Sequence, residues 1–307
     1  MNTLGIITQT IFLIILAPFL SGFIRKIKNN FRMRKGAPML QPYYNFFKLL
    51  SKDEVISENS SWIFKLSPFV VLASSITALL LIPVFNGWFS LNQMGDFLVL
   101  IFLLALGRFF LALAGLDAAN TFGGMGSSRE MFISSLVEPA MFVAVFVVAL
   151  NCGSTSLAII SSTSIFKLST LVATLALLIV TIAETSRIPV DNQETHLELT
   201  MVHEAMVLEY SGRSLALIEL AAHIKQIIFY SLLANILFPL KSVYLNTGAL
   251  GIFMVLGLYL IKIFLIGLSI AIIEVSIAKM RLFRVVDFIG FSFLLSIVAV
   301  VLQTAGF

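Results

Sequence analysis

Apolar residues in this chain come in long runs separated by short charged stretches. A helix that crosses a bilayer needs about 20 mostly apolar residues. Eight runs approach that length, at residues 3–24, 69–85, 97–115, 131–151, 166–183, 218–239, 249–273 and 286–301. The pattern predicts an all-α integral membrane protein of about eight transmembrane helices, forming one membrane domain over residues 1–307. The first run reads as a span and not as a signal peptide, because no small-residue cleavage site follows it and its basic residues come after it. A shorter run at 157–160, beside Ser161, Ser162 and Thr163, is too short to cross and reads as a connection.

Composition agrees with the runs. Of 307 residues, 59% are apolar and 12% charged, against roughly 45–50% and about 25% in soluble proteins. A soluble globular enzyme is thereby excluded. The net charge is only +4, so the placement of the cations matters more than their sum. Nine Lys and Arg lie between Arg25 and Lys65, and Arg129, Arg187, Arg213, Lys279, Arg281 and Arg284 fall in the later connections of the same side. The opposite side holds Lys167 and Lys241, while Arg108, Lys225 and Lys262 lie inside spans. The positive-inside rule therefore puts the basic side in the cytoplasm and both termini outside. Nothing in this distribution points to a nucleic-acid partner.

Within the connection at 25–67, the segment Gln41 to Leu50 places Pro42 where a helix begins and puts aromatic bulk ahead of Lys48. It reads as an amphipathic helix lying in the membrane interface, with an ordinary connection as the alternative.

The acidic connection at 184–217 is the most informative stretch. Six of the 16 acids, Glu184, Asp191, Glu194, Glu198, Glu204 and Glu209, fall within 30 residues. They are interleaved with Leu197, Leu199, Met201, Val202, Met206 and Leu208, a composition unsuited to a solvated tail. Burial and neighbouring negative charge raise carboxylate pKa values, so such a cluster can hold and exchange protons near neutral pH. Ion pairing with Arg187, Arg213 and partner subunits accounts for the same residues, and the two readings are compatible. His203-Glu204 lacks the second histidine of a zinc-binding His-Glu-x-x-His helix, since position 207 is Val. His196 and His203 therefore read as hydrogen-bonding or proton-sharing groups. Cys152 is the single cysteine, and no cysteine or histidine cluster is spaced for zinc or an iron–sulfur centre. No metal site and no self-contained catalytic site are legible, so redox centres are expected on other chains.

Ionisable residues inside spans are expensive and functional by default. Glu138, followed by Pro139, stands in the fourth run, where the proline frees a backbone carbonyl one turn earlier. Lys225 and His223 in the sixth run, Lys262 in the seventh and Glu274 near its end add further charge. Lys262 is too deep to snorkel easily and calls for a buried partner or a water path. Arg108 also needs a partner, and Asp117 and Glu138 are the candidates. No internal repeat or matched pair of broken spans is visible, which argues against a symmetric carrier.

Taken together, these residues resemble the subunit 1 family of respiratory complex I and the related group 4 membrane-bound [NiFe] hydrogenases. Within that group the wording is most like the membrane subunits of the formate hydrogenlyase and hydrogenase-4 component C type. The resemblance rests on Arg34-Lys35-Gly36, Leu40-Gln41-x-Tyr43, Lys48-Leu49-Leu50, Gly115-Leu116-Asp117, Gly126-Ser127-Ser128-Arg129-Glu130, Val137-Glu138-Pro139, Glu184, Pro189-x-Asp191 and Glu209-Tyr210-Ser211-Gly212, in the family's order. Ala37, Asn45 and His196 depart from it, standing where the family often has Pro, Asp and an acid.

The resemblance implies an eight-helix subunit of the inner (cytoplasmic) membrane that anchors a hydrophilic redox arm and couples its chemistry to movement of H⁺ or Na⁺. By it, Glu138, Glu184, Asp191, Glu194, Glu198 and Glu209 carry the proton relay; His196, with His203 nearby, stands in for a carboxylate, and Glu204 and Lys262 join the relay from the residue reading above. Arg32, Arg34, Lys35, Gln41, Lys48, Arg129, Arg187 and Arg213 face the redox arm. The implied partners are hydrogenase-like large and small subunits, which carry the nickel–iron centre and iron–sulfur clusters, and antiporter-like membrane subunits. Complex I relatives bind quinone at this junction, a reading weaker here because the wording of residues 183–212 sides with the hydrogenases. A stand-alone ion transporter is the third alternative.

Overall fold

In the computed structural model the chain is described over residues 3–57, 60–84, 95–162, 167–191, 201–239 and 249–306. The described elements are helices, with a single bridge between Asp96 and Ser156. In order they are α1 (Thr3–Phe31), α2 (Gln41–Leu50), α3 (Trp62–Leu80), α4 (Phe97–Asp117), α5 (Thr121–Cys152), α6 (Leu157–Ser162), α7 (Leu168–Glu184), α8 (His203–Val207), α9 (Gly212–Leu237), α10 (Ala249–Ser276) and α11 (Leu282–Thr304).

Seven of these, α1, α3, α4, α5, α9, α10 and α11, are long and apolar enough to cross a membrane. The eighth predicted span is α7, apolar but only 17 residues long. It packs between α5, α11 and α9, which lets a short helix bury its backbone among neighbours. The chain is thus an all-α multi-pass membrane protein. The short run read as a connection forms the helix α6, and Gln41 to Leu50 forms α2, with Pro42 in its first turn where a missing N–H costs nothing.

Helix ends differ from the apolar runs for a common reason: polar residues continue a helix where neighbours cover them. α1 runs on past residue 24 to Phe31, because Leu13, Ala17, Leu20, Ile24 and Lys28 make one buried stripe at three- and four-residue spacing. α3 starts seven residues before its apolar run, at Trp62, where the Ser61 hydroxyl accepts the Ile63 N–H. α5 starts at Thr121, where the Asn120 side chain accepts the Phe122 N–H. Its first turns hold Arg129 and Glu130 on the helix and not in a connection. They are covered because Gly126 lets α8 approach: a Cβ there would sit 2.8 Å from the Ala205 Cβ and 3.0 Å from the Val202 carbonyl oxygen.

After α1 the chain doubles back along it. Gly22 makes this possible, since a Cβ at that position would overlap the Met39 carbonyl oxygen, and Tyr43 reaches on to donate to the Ile15 carbonyl. α2 consequently lies against α1 and α9, with Pro42 buried and Tyr44, Phe47 and Lys48 turned outward on one face.

Candidate functional site

Four helices place charges at one point inside the bundle. Arg108, deep in α4, is buried and donates through Nη1 to Glu138 of α5 at 2.8 Å and through Nη2 to both carboxylate oxygens of Glu184 at the end of α7. Its Nε is 3.9 Å from Glu130, two turns before Glu138 on α5. Lys225 of α9 completes the group, with Nζ 2.8 Å from Glu184. Of the two candidate partners for Arg108, Glu138 is therefore the one met. Asp117 instead accepts the backbone N–H groups of Ser61 and Phe64 at 2.8 and 3.3 Å and fixes the start of α3.

This group holds three carboxylates against two cations. In a low-dielectric interior an excess charge is costly, and one proton would bring the five side chains to neutrality.

The group opens into a cavity of about 450 Å³ bounded by α1, α2, α3, α4, α8 and α9. Besides Arg108, Glu130, Glu184 and Lys225, its wall carries Arg25, Arg187, His203, Glu204, Glu219, His223 and Gln226. Two hydrogen-bonded groups flank it. In one, Glu274 of α10 lies 2.8 Å from Lys28 of α1 and 3.3 Å from Arg187, whose other terminal nitrogen donates to Gln226 at 2.9 Å. In the other, Asp191 is buried, pairs with Lys279 at 3.0 Å and accepts the backbone N–H groups of Val202 and His203 at 3.2 Å, holding α8 against the turn after α7.

The proposed relay residues thus divide. Glu138, Glu184, His203 and Glu204 meet at the cavity or its charge group, and Asp191 lies behind α8. Glu194, His196 and Glu198 lie outside the described residues. Glu209 stands apart, accepting from Asn120 at 2.5 Å. Its neighbours explain the rest of that motif. Tyr210 stacks on Phe64 with ring centroids 4.0 Å apart and donates to the Phe64 carbonyl, and Ser211 bonds both backbone groups of Val55. Gly212 has φ +52°, and a Cβ there would sit 2.6 Å from the Asp53 carbonyl oxygen. Glu209 to Gly212 is a clasp joining the connection before α3 to the start of α9. Burial pushes the Tyr210 hydroxyl well above its ordinary pKa, with the Asp117 and Glu54 carboxylates adding to the shift. Lys262 is also away from the cavity: its ammonium donates to the carbonyl of Phe238 at the end of α9, the negative end of that helix.

Among the residues assigned to the redox arm, Arg34, Lys35, Lys48 and Arg213 are exposed, and Arg32 and Gln41 are half-buried. Arg129 is half-buried and donates to the Met201 carbonyl at 3.2 Å. Arg187 does not fit that surface role. It is 8% exposed and engaged with Glu274 and Gln226, because the tight turn after α7 directs it inward. Lys28 and Gln226 were not legible as site residues. The signal for Lys28 was its place on the buried stripe of α1, which an apolar-run count misses.

The whole chain carries a family signature. A family model described as NADH dehydrogenase matches residues 4–305, and the chain belongs to this family, the subunit 1 family of complex I. It is 33% identical to hydrogenase-4 component C of Escherichia coli, over 93% of this chain and 91% of that one. It is 30% identical to formate hydrogenlyase subunit 4 of the same organism, over 92% of each. NADH-quinone oxidoreductase subunit 8 of Rhodothermus marinus is 27% identical over 74% of this chain and 72% of that one. A chain of the membrane-bound sulfane sulfur reductase, an archaeal respiratory membrane complex, shares the fold with a TM-score of 0.83 at 20% identity, covering 97% and 98% of the two chains. Among the described residues no group of His, Cys, Asp or Glu is placed to hold a metal ion.

Proposed function

We propose that this chain is the membrane-anchor and proton-relay subunit of a multi-subunit hydrogenase or formate hydrogenlyase-type complex in the cytoplasmic membrane. Its partners are hydrogenase-like large and small subunits, which hold the nickel–iron centre and iron–sulfur clusters, and antiporter-like membrane subunits. The observation that carries the reading is the Arg108 group. Three buried or half-buried carboxylates share two cations beside a polar cavity, in a chain related over nearly its full length to hydrogenase-4 component C and formate hydrogenlyase subunit 4. The exposed cations Arg34, Lys35 and Arg213 supply the surface for the redox arm.

In this reading Glu138, the more accessible carboxylate, gains and loses the proton, Arg108 orients Glu138 and Glu184, Lys225 helps hold Glu184 as the fixed charge of the group, and the cavity brings protons in from the His203 and Glu204 wall. The charge change passes to the neighbouring membrane subunits. The 450 Å³ cavity favours one second reading, a quinone chamber as in the NADH-quinone oxidoreductases, because it is large enough for a ring headgroup. Its dense charge lining supports the first reading, since an apolar tail gains little there.

Purification of the tagged chain in mild detergent, with identification of its partners and metals, tests the assignment. Nickel together with quinone-insensitive hydrogen evolution is the expected result, and quinone reduction by a nickel-free complex would replace it with the second reading. Within the complex, Glu138→Gln is expected to leave assembly intact and lower coupled turnover. Unchanged turnover and ion translocation would remove Glu138 from the mechanism.

A further inference from the structure

Between the charged cavity and Lys262, buried polar residues recur along α9 and α10 among apolar neighbours such as Ile227, Ile263 and Ile266. On α9, Gln226, Tyr230, Ser231 and Asn235 are all buried, and on α10 Tyr259 and Lys262 are. A bilayer interior makes each of these groups expensive unless it has a partner. Several partners are present. Gln226 accepts from Arg187 at the cavity wall, the hydroxyls of Ser231 and Tyr259 are 2.6 Å apart, Asn235 donates to the Pro83 carbonyl at 3.0 Å, and Lys262 donates to the Phe238 carbonyl. Two groups lack a hydrogen bond of good geometry: Gln226 Nε2 and the Tyr230 hydroxyl face each other across one turn of α9, and neither has another partner among the described residues, although both side chains are almost wholly buried. Buried polar atoms of this kind are ordinarily satisfied by internal water, and Gln226 lines the cavity from which water enters.

Helical rise sets the spacing. Gln226 to Tyr230 climbs about 6 Å, Tyr259 to Lys262 about 4.5 Å, and Gln226 to Phe238 about 18 Å in all. The two single-turn steps of about 4.5 and 6 Å are of a size that one or two waters bridge.

We propose that this chain contains its own proton path along the α9–α10 seam, running from Gln226 at the cavity through water, Tyr230, Ser231 and Tyr259 to Lys262 at the far end. Each hydroxyl accepts a proton on a lone pair while releasing its own forward, so the hydroxyls end each transfer in the protonation state they began with, and Lys262 is the one carrier that cycles. Lys262 gives its proton to the far side and is recharged from Tyr259 or an intervening water. The path rests on the relay reading, because the Arg108 group loads it.

The test uses the purified complex in proteoliposomes, with a pH-sensitive dye reading translocation and the redox rate measured separately in detergent. Tyr230→Phe and Tyr259→Phe remove only hydroxyls, and Ser231 keeps its bond to the Ile227 carbonyl. Each is expected to lower protons moved per electron by about tenfold or more, within what loss of a proton-transfer group costs, and to leave the detergent redox rate unchanged. Lys262→Met is expected to act the same way and Lys262→Arg to restore part of the loss. An unchanged ratio in both tyrosine variants overturns the path. Glu138→Gln in parallel separates the two proposals: if it lowers coupling while the tyrosine variants do not, the seam falls and the relay stands. If Glu138→Gln leaves coupling intact, the relay itself falls.

Discussion

Removing the Arg108 guanidinium while keeping its bulk, as in Arg108→Met, tests the centre of the charge group. Three carboxylates lose their shared cation, but they do not lose equally. The Glu184 side chain is 2% exposed and takes two contacts from Arg108, whereas that of Glu138 is 38% exposed and Glu130 is 3.9 Å away. Solvent screens the Glu138 pair, so its loss costs little. Stranding Glu184 beside Lys225 alone dominates, and breaking such a buried pair costs about 3–5 kcal/mol. Glu184→Gln removes the same pair from the other side: it leaves Lys225 without its carboxylate, while Arg108 keeps Glu138 at 2.8 Å. Both changes remove the same ion pair, whose loss is counted once in the double variant, so the two costs are expected to be non-additive, with a coupling of about 0.5–3 kcal/mol. Unfolding of the single and double variants in mixed detergent micelles gives the cycle. Additive costs would refute the pairing of Arg108 with Glu184.

Other outcomes follow from the packing. Gly22→Ala forces a Cβ into the Met39 backbone, which cannot shift without moving α2, and is expected to cost about 1–3 kcal/mol or more; proteolysis at residues 32–40 would report it, and an unchanged digestion pattern would count against the close approach. Tyr210→Phe keeps the stack on Phe64 and loses one hydrogen bond, an expected cost of about 1 kcal/mol, against about 3–5 kcal/mol for Tyr210→Ala. The same hydroxyl sets an alkaline limit. Its pKa in the folded chain is raised above the ordinary 10.0, so its contribution is full below about pH 10 and drains as the pH rises through the folded value. Stability of the parent above pH 10 is expected to fall more steeply than that of Tyr210→Phe, and equal slopes would place the titration elsewhere.

The spans were legible because hydrocarbon imposes a length and an apolar content on any helix that crosses it, and those are properties of consecutive residues. The clustering of acids after the fifth run, and the need of Glu138 and Arg108 for partners, could be read for the same reason. Helix ends were less legible. Arg129 and Glu130 look like connection residues by composition, and it is the helix capped by Asn120, with α8 packed closely at Gly126, that covers them. The sequence of Glu209 to Gly212 marks a specific segment but not its task, which depends on Val55, Asp53 and Phe64, more than 140 positions away.

What the sequence alone determined was therefore local: the apolar helices, the short helix at Gln41 to Leu50 and the buried ionisable residues. Tertiary structure decided the partnerships. It chose Glu138 and Glu184 over Asp117 for Arg108, turned Arg187 inward to Glu274, and put Lys262 on the end of α9 and not at the cavity. A buried charge requires a counter-charge or hydrogen-bonding group within a few ångströms, and the requirement can be read from one residue. Its fulfilment comes from whichever helix packs alongside, and that is settled by the assembly of all of them.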